Sequence, residues 1–251
     1  MAAPPRPSRQ VERTLVLGVS DRIHAVLKEL DAYVAPGSRV TVVGEDAESQ
    51  VAVQLPNMEV SVRTGDITDR GLLDELGIPS FHQVLILAES EGRSPEMADA
   101  RTLITLLHLR DIGRRAGHAV PVTTEMLDIR NQVLASVAEA DDFIVSNTLV
   151  SLMLTQVAEN PHLVRIFDQL FAPEGYEIYL KPADEYVVLD REVSFHQVVL
   201  SAARRGHVAI GYRVAADARR PEASYGVVVN PTKKDRRAYR RGDRVVVLAA
   251  D

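Results

Sequence analysis

The sequence contains no cysteine and no tryptophan among its 251 residues, and only 5% of the residues are aromatic. The absence of cysteine excludes disulfides and thiolate zinc sites, and it is typical of a protein in a reducing cytosol. No stretch approaches the roughly 18 consecutive apolar residues of a membrane-spanning helix. Residues 1–10 also lack the apolar segment of a secretory signal and are rich in proline. We therefore expect a chain that is itself soluble, with a flexible lead-in over residues 1–10.

Positive charge and catalytic motifs are also scarce. The net charge is -6, whereas a nucleic-acid-binding domain needs a positively charged surface. The histidines form no H-E-x-x-H motif, no serine lies in G-x-S-x-G, and no phosphate-binding P-loop occurs. With 46% hydrophobic and 25% charged residues, the composition is that of an ordinary globular protein. These features predict a folded domain that is not an enzyme and has no nucleic-acid partner.

The first half of the chain alternates between short β-branched runs and helical patterns, which indicates crossover units and a parallel sheet. The run at 83–88 is almost entirely apolar, as is typical of a strand covered on both faces. This rhythm predicts a Rossmann-like, doubly wound α/β domain over residues 11–145. Strands are predicted at 13–18, 39–44, 60–64, 83–88, 120–125 and 142–145, with helices starting near 21, 68, 95 and 128.

The pattern changes after residue 145. The segment 149–157 is apolar on nearly every helical face, and 161–171 carries one apolar stripe at helical spacing. Either an internal core or a subunit interface explains them equally well. We predict crossover or pairing helices at 146–172 and a smaller α/β lobe at 173–251. Within that lobe, strands are predicted at 177–180, 186–189, 208–214, 225–230 and 244–248, with a helix that begins at the capping box of Ser194 and Gln197.

The first strand–helix turn is where a Rossmann domain would bind a dinucleotide. Gly18, Ser20 and Ile23 occupy the three glycine positions of the G-x-G-x-x-G fingerprint. Ser20 places a β-carbon where the pyrophosphate must approach the backbone, and Asp21 adds negative charge at the helix N-terminus. Arg22 would restore some affinity for phosphate. The sequence therefore favours a structural turn over a dinucleotide site.

Other candidate ligand residues follow the next strands. Glu45 comes after the second predicted strand, Asp66 after the third and Glu89 after the fourth. The carboxyl ends of parallel strands form the usual ligand crevice of such sheets. We therefore predict a crevice built from strand-end residues, namely Gly18, Ser20, Arg22, Glu45, Asp66 and Glu89.

An acidic stretch begins where the fourth predicted strand ends. Calcium takes six to eight oxygen ligands, and four carboxylates lie close together in this part of the sequence. Their spacing matches no EF-hand loop, and acidic residues also stabilise a helix N-terminus without any metal. A calcium site and an ordinary solvated helix start are therefore both open. The four residues are Glu89, Glu91, Glu96 and Asp99.

Several short motifs, taken in order, resemble the cytosolic half of the Castor/Pollux-type ion channels, which carry domains of the RCK class (regulator of potassium conductance). Any one of them is weak evidence, but the series covers nearly the whole chain after residue 10. The motifs lie at 15–18 (LVLG), 29–38 (ELDAYVAPGS), 65–70 (GDITDR), 98–103 (ADARTL), 106–112 (LLHLRDI), 125–128 (EMLD), 145–151 (VSNTLVS), 171–175 (FAPEG), 177–182 (EIYLKP), 210–213 (IGYR) and 229–231 (VNP).

This resemblance implies a regulatory gating-ring domain at the cytoplasmic face of a membrane. It implies the second of two tandem RCK copies, whose partners are a pore-forming transmembrane segment and further copies of itself, as a dimer or a larger ring. The helices at 146–172 would then pair neighbouring domains. Bound ligand would bias the pore by shifting the population of ring geometries.

The ligand remains open at the level of sequence. The resemblance implies calcium, as in plant members, or a nucleotide, as in related potassium uptake systems. Ser20 and Ile23 depart from the nucleotide fingerprint, and Val19 replaces the aromatic residue of close relatives. Two alternative functions are an NAD(P)-dependent Rossmann oxidoreductase and an assembly scaffold whose crevice holds no ligand.

Overall fold

The computed structural model describes residues 10–118, 120–131, 142–172, 175–218 and 220–250. The chain divides into two compact units between residues 161 and 162. This division falls inside the segment predicted to hold the crossover helices, so one of those helices belongs to each unit. Nearly all of the predicted flexible lead-in, residues 1–9, lies outside the described residues, and so does most of the helix predicted after Asp128.

The first unit is built on six parallel strands, which confirms the predicted Rossmann-like α/β fold. Their order across the sheet is β3-β2-β1-β4-β5-β6, the arrangement of doubly wound dinucleotide-binding domains. The strand order reverses between β1 and β4: β2 and β3 extend the sheet on one side of β1, and β4 to β6 extend it on the other. The strands are β1 (Arg13–Leu17), β2 (Ser38–Gly44), β3 (Met58–Thr64), β4 (Gln83–Ile86), β5 (Val122–Met126) and β6 (Asp142–Val145).

Among the residues that the structure describes, five helices accompany this sheet: α1 (Ile23–Tyr33), α2 (Ala47–Gln50), α3 (Arg70–Glu75), α4 (Pro95–Ala116) and α5 (Ser146–Glu159). The longest is α4, which begins as predicted: the Ser94 hydroxyl accepts a hydrogen bond from the Met97 amide, and Pro95 takes the first helical position. Among the helices in the described part of the chain, none combines the length and the apolar composition that a bilayer crossing requires.

The two faces of the sheet bury separate apolar cores. Leu15 and Leu17 of β1 pack with α3 and α4, including Leu106, on one face. Val16 points to the opposite face and joins Leu27 of α1. Successive strand residues alternate between faces, so this single strand contributes to both cores. Burying a side chain of this size stabilises the fold by about 2 kcal/mol.

The second unit is mainly antiparallel. Its larger sheet has the order β10-β9-β12-β7, and β8 pairs with β11 in a two-stranded ribbon. The elements are α6 (Leu163–Leu170), β7 (Glu177–Pro182), β8 (Glu192–Ser194), α7 (Phe195–Ala203), β9 (Val208–Arg213), β10 (Val227–Val229), β11 (Arg236–Ala238) and β12 (Arg244–Ala249).

One predicted strand of this unit is not a strand. Over 186–189 the chain leaves a short 3₁₀ turn, and the amides of Tyr186 and Val187 both bond to the Ala183 carbonyl. Tyr186 is nevertheless buried in the core under α7, so its apolar character reflects burial and not strand pairing. The capping box of Ser194 and Gln197 is present as predicted.

Candidate ligand crevice and its arginine

The turn after β1 keeps its glycine because the chain itself approaches closely there. Gly18 has a φ of +92°, and a β-carbon at this position would lie 2.4 Å from the Leu87 carbonyl oxygen. At the end of β2, a β-carbon on Gly44 would lie 2.7 Å from Val19 Cγ2 and 3.3 Å from Glu89 Oε1. The Leu87 backbone therefore occupies the space beside Gly18, and the Val19 and Glu89 side chains occupy the space beside Gly44.

Three predicted crevice residues meet at one guanidinium group. Arg101 of α4 donates from Nη2 to Glu45 Oε1 at 3.0 Å, to Asp66 Oδ1 at 2.9 Å and to Glu89 Oε2 at 3.1 Å. Its Nε also donates to Glu89 Oε2, at 3.2 Å. The carboxyl ends of β2, β3 and β4 are thus tied to a single helix.

Arg93 brings a second cation to the same place. Its Nη2 donates to Glu45 Oε2 at 2.6 Å, and its Nη1 lies 4.0 Å from Glu89 Oε2. We call Glu45, Asp66, Glu89, Arg93 and Arg101 the Arg101 cluster. Glu89 lies deepest, with 5% of its side chain exposed, whereas Glu45 and Asp66 are nearly half exposed. Three carboxylates and two guanidinium groups leave one negative charge on the cluster.

Local hydrogen bonds hold α4 beside the loop that follows β3. Thr105 Oγ1 donates to the Ile67 carbonyl at 3.0 Å, one turn beyond Arg101. Within the loop, Asp66 Oδ1 accepts from the Thr68 amide at 2.8 Å and from the Thr68 hydroxyl at 2.7 Å. The Gly-Asp motif is therefore an Asx-type turn that aims its carboxylate at Arg101.

Burial and charge act differently on the carboxylates of the cluster. Burial raises the pKa of Glu89, and the nearby charges of Arg101 and Arg93 offset only part of this effect. Burial would also raise the pKa of Asp66, but the hydrogen bonds from Thr68 and the charge of Arg101 outweigh it and hold that pKa below its usual value. Asp66 therefore stays ionised at neutral pH, and Glu89 takes up a proton more readily than a solvent-exposed glutamate.

Ser20 and Arg22 do not join the Arg101 cluster. Arg22 forms an ion pair with Glu125 of β5, and Glu125 also accepts hydrogen bonds from the Ser146 hydroxyl and, at 3.1 Å, from the Ala88 amide. Ser20 is 4% exposed, and its hydroxyl has no hydrogen-bond partner among the described residues. Both residues line a separate cleft on the β4–β5 side of the turn. The predicted six-residue set thus divides between two places.

Three of the four carboxylates of the acidic stretch have unrelated partners. Glu89 binds Arg101 as described, Glu91 accepts from the Gln50 side chain at 3.1 Å, and the exposed Glu96 lies 3.6 Å from Arg130.

The fourth carboxylate, Asp99, has a structural role. It is 1% exposed and accepts hydrogen bonds from the Leu127 and Asp128 amides at 2.8 and 3.1 Å and from the Asn131 side chain at 2.7 Å. It therefore satisfies backbone groups just after β5. In the ranges that the structure describes, no three acidic or histidine side chains form a group suited to a metal ion. The structure does not bring the four predicted calcium ligands together.

Arg101 and Arg93 are the site residues that the sequence reasoning missed. A helical arginine looks like any other solvated charge until the rotation of its helix is known. One signal was available: carboxylates that collect at the same end of a parallel sheet repel one another unless a cation lies between them. The first long helix after those strands, α4, is the natural source of that cation.

Comparison with known proteins finds sequence similarity to plant ion channels. No protein-family model matches the chain. The chain is 30% identical to the probable ion channel SYM8 of Pisum sativum over 284 aligned positions, which cover 97% of this chain and 31% of that protein. It is 31% identical to the probable ion channel CASTOR of Oryza sativa subsp. japonica over 276 positions, covering 94% of this chain and 30% of that protein. The chain thus spans about three tenths of the length of these relatives.

A solved structure shows the same fold. The human SLO3 gating ring superposes with a TM-score of 0.62 at 13% identity, covering 96% of this chain and 44% of that one. At this identity the likeness concerns the fold alone. The aligned plant sequences confirm the resemblance predicted from the short motifs: over nearly its whole length, this chain is homologous to one region of the CASTOR/POLLUX ion channels.

Proposed function

We propose that this chain is a regulatory domain of a Castor/Pollux-like ion channel, that it acts at the cytoplasmic face of the membrane, and that it is not an enzyme. The observation that carries the proposal is the 30% identity that extends over 97% of the chain to a probable ion channel. Because the chain spans only part of such proteins, the pore is supplied by other segments. The domain is one of two tandem copies and assembles with further copies of itself.

The Arg101 cluster suits a domain that responds to a ligand by changing shape. It connects the ends of three strands to α4 through ion pairs of the side chains alone. A ligand shifts such an equilibrium only if it binds one arrangement more tightly than the other. Calcium would compete with Arg101 for the carboxylates. A nucleotide would have to displace Glu89 from the space beside Gly44.

The exposed face of α5 supports the proposed self-association. Four large apolar side chains of this helix are between 45% and 65% exposed: Leu149, Val150, Leu152 and Leu154. Such a row is costly in water and is typical of a surface that another chain covers. Sedimentation velocity over a range of concentrations tests this point, and a chain that remains monomeric at the highest concentration would contradict it.

The functional test is a chimeric channel in which this chain replaces the homologous segment of the rice CASTOR protein. In single-channel recordings, we expect Arg101→Met to change the open probability by about tenfold, the scale of typical coupling energies, with the unitary conductance unchanged. The matched control is Arg115→Met, which removes an exposed ion pair near the end of the same helix. Equal open probability for both variants and the wild type would contradict regulation through the Arg101 cluster. Turnover of NAD(P)H by the purified chain would instead favour an oxidoreductase.

A further inference from the structure

The cleft on the β4–β5 side of the first turn lies outside the Arg101 cluster, and only its Leu149 and Val150 belong to the exposed face of α5 described above. It has a volume of about 290 Å³, just below the usual 300–1,000 Å³ of small-molecule sites. It lies where the sheet order reverses between β1 and β4, which is the position at which open parallel sheets bind ligands. The Arg101 cluster fills the other side of the same turn, so this side is the open half of the crevice.

Most of the lining of this cleft is apolar. Side chains from α1, β6, α5 and the β4 region form its walls, and we call this space the apolar cleft. On this face, α1 packs over β1 and β2, whereas Leu85 of β4 is only partly covered. The apolar walls consist of Val26, Leu85, Leu87, Ile144, Leu149 and Val150.

The charged groups at the cleft neutralise each other. The Arg22 guanidinium is paired with Glu125, and Glu125 also accepts from the Ala88 amide and the Ser146 hydroxyl. A phosphate or carboxylate would have to break the pair with Arg22 and would then face Glu125. A cation would meet a carboxylate that is already satisfied. The cleft therefore disfavours ligands of either charge.

Three hydroxyl-bearing residues line the cleft, Ser20, Thr123 and Ser146, and among them Ser20 holds the buried hydroxyl that is left to recognise a ligand. Ser20 lines the cleft and is only 4% exposed. Its hydroxyl bonds to no described residue. A buried hydroxyl without a partner is unfavourable and rare in folded proteins. A bound molecule that carries a hydroxyl or carbonyl group would satisfy it.

We propose that the apolar cleft binds a small, uncharged, mostly apolar molecule that exchanges one hydrogen bond with the Ser20 hydroxyl. The apolar walls supply most of the affinity, and Ser20 selects ligands with a neutral polar group. This inference concerns the chain alone and goes beyond the proposed function, so binding is measured without a pore and its failure would leave the channel assignment untouched.

The test uses benzyl alcohol as the probe and methyl NMR of the whole chain as the readout. We expect saturable shifts of the Val26, Leu85 and Val150 methyl signals with benzyl alcohol, and none with benzylphosphonate. Ser20→Ala should weaken benzyl alcohol binding about fivefold, the effect of one neutral hydrogen bond, while toluene binding stays unchanged. Because the Ser20 hydroxyl has no partner to lose, this variant should fold normally.

Two tryptophan variants complete the test, since the chain has no tryptophan of its own. Val150→Trp fills the cleft and should abolish binding. Leu154→Trp, on the same helix but outside the cleft lining, should bind like the wild type. Absence of saturable shifts, equal binding of benzylphosphonate, or equal benzyl alcohol affinity in Ser20→Ala would each overturn the proposal. Methyl shifts that follow protein concentration and not benzyl alcohol would also overturn it and would identify the cleft as a contact between copies.

Discussion

In each unit of the molecule, a partly buried arginine is held by several neighbouring side chains, but the chemistry of these partners differs between the two units. In the first unit, the side chain of Arg101 is 15% exposed and lies among three carboxylates. In the second unit, Arg237 is 25% exposed and lies 4.4 Å from the ring centroid of Tyr212 and 5.0 Å from that of Tyr239, with Asp243 at 3.5 Å. One cation is held by charge, and the other mainly by aromatic faces.

The two sites differ in the hydrogen bonds that the buried carboxylate, Asp243 or Glu89, would keep if its arginine were removed. Asp243 also accepts hydrogen bonds from the Ala215 and Arg240 amides, both at 2.9 Å. Among the described residues, Glu89 has only Arg101 as a hydrogen-bond donor, with Arg93 at 4.0 Å. The second unit therefore tolerates loss of its arginine better. The first unit depends on Arg101 to keep a buried carboxylate compatible with folding, as expected for an element that a ligand can perturb.

The largest expected effect comes from removing the cation of the first unit. Arg101→Met leaves Glu45, Asp66 and Glu89 facing one another, and we expect it to lower the free energy of unfolding by about 3 kcal/mol at about pH 7. Urea denaturation measures this loss. Arg101→Lys keeps the charge but not the planar fork, so it should lose about half as much. A loss below about 1 kcal/mol for Arg101→Met would show that the cluster behaves as a surface ion pair.

The matched substitution in the second unit should lower the free energy of unfolding by a smaller amount. Arg237→Met keeps an apolar side chain against the two tyrosine rings but removes the cation–π contacts, and we expect the free energy of unfolding measured in urea to fall by about 1.5 kcal/mol. The amides that bond to Asp243 limit the damage. If Arg237→Met lowered the free energy of unfolding as much as Arg101→Met, the proposed difference between an arginine held by carboxylates and one held by aromatic rings would be contradicted.

The smallest effect concerns Tyr239 and appears only at alkaline pH. Burial, outweighing the charge of Arg237, raises the pKa of Tyr239 from 10.0 to about 12. The folded state then keeps a proton that the unfolded chain loses, so stability falls as the pH rises from 10.0 towards about 12. When the pH rises from about 8 to about 11, we expect the free energy of unfolding of Tyr239→Phe to fall by about 1 kcal/mol less than that of the wild type.

Unfolding curves at several alkaline pH values check this difference. The hydroxyl of Tyr239 has no hydrogen-bond partner among the described residues, so its removal should cost little at neutral pH. The exposed Tyr176 is the matched control in the same unit, and Tyr176→Phe should show the alkaline loss of the wild type. Identical pH profiles for Tyr239→Phe and the wild type would contradict a raised pKa at this position.

Much of the first unit could be predicted because its signals are local. A buried parallel strand requires an apolar run, and the runs of β1, β2 and β4 appear directly in the sequence. The second unit was harder. Its strands β8 and β11 have three residues each, and their pairing depends on contacts between distant segments. Burial of Tyr186 and its neighbours produced a strand-like pattern at a turn.

For the site, spacing along the chain was informative only where the sheet fixes position. Glu45, Asp66 and Glu89 follow β2, β3 and β4 of one parallel sheet, in which β1 lies between β2 and β4. Parallel pairing therefore brings all three residues to the same end of the sheet. Proximity in sequence was less informative in the acidic stretch, where Glu89 bonds to Arg101 whereas Asp99 bonds to other groups. Asp99 lies on α4, and the rotation of that helix turns it towards the backbone after β5.

The sequence by itself determined the alternation of strands and helices, the order of motifs shared with a channel family and the edge of the sheet where carboxylates collect. These follow from local periodicity and from the geometry of parallel strands. Only the tertiary structure decided that Arg101 holds those carboxylates, that Ser20 faces a separate apolar cleft, and that Arg237 packs against two tyrosine rings. Such pairings depend on how each helix is rotated and on which distant segments meet, and both are set by packing of the whole core.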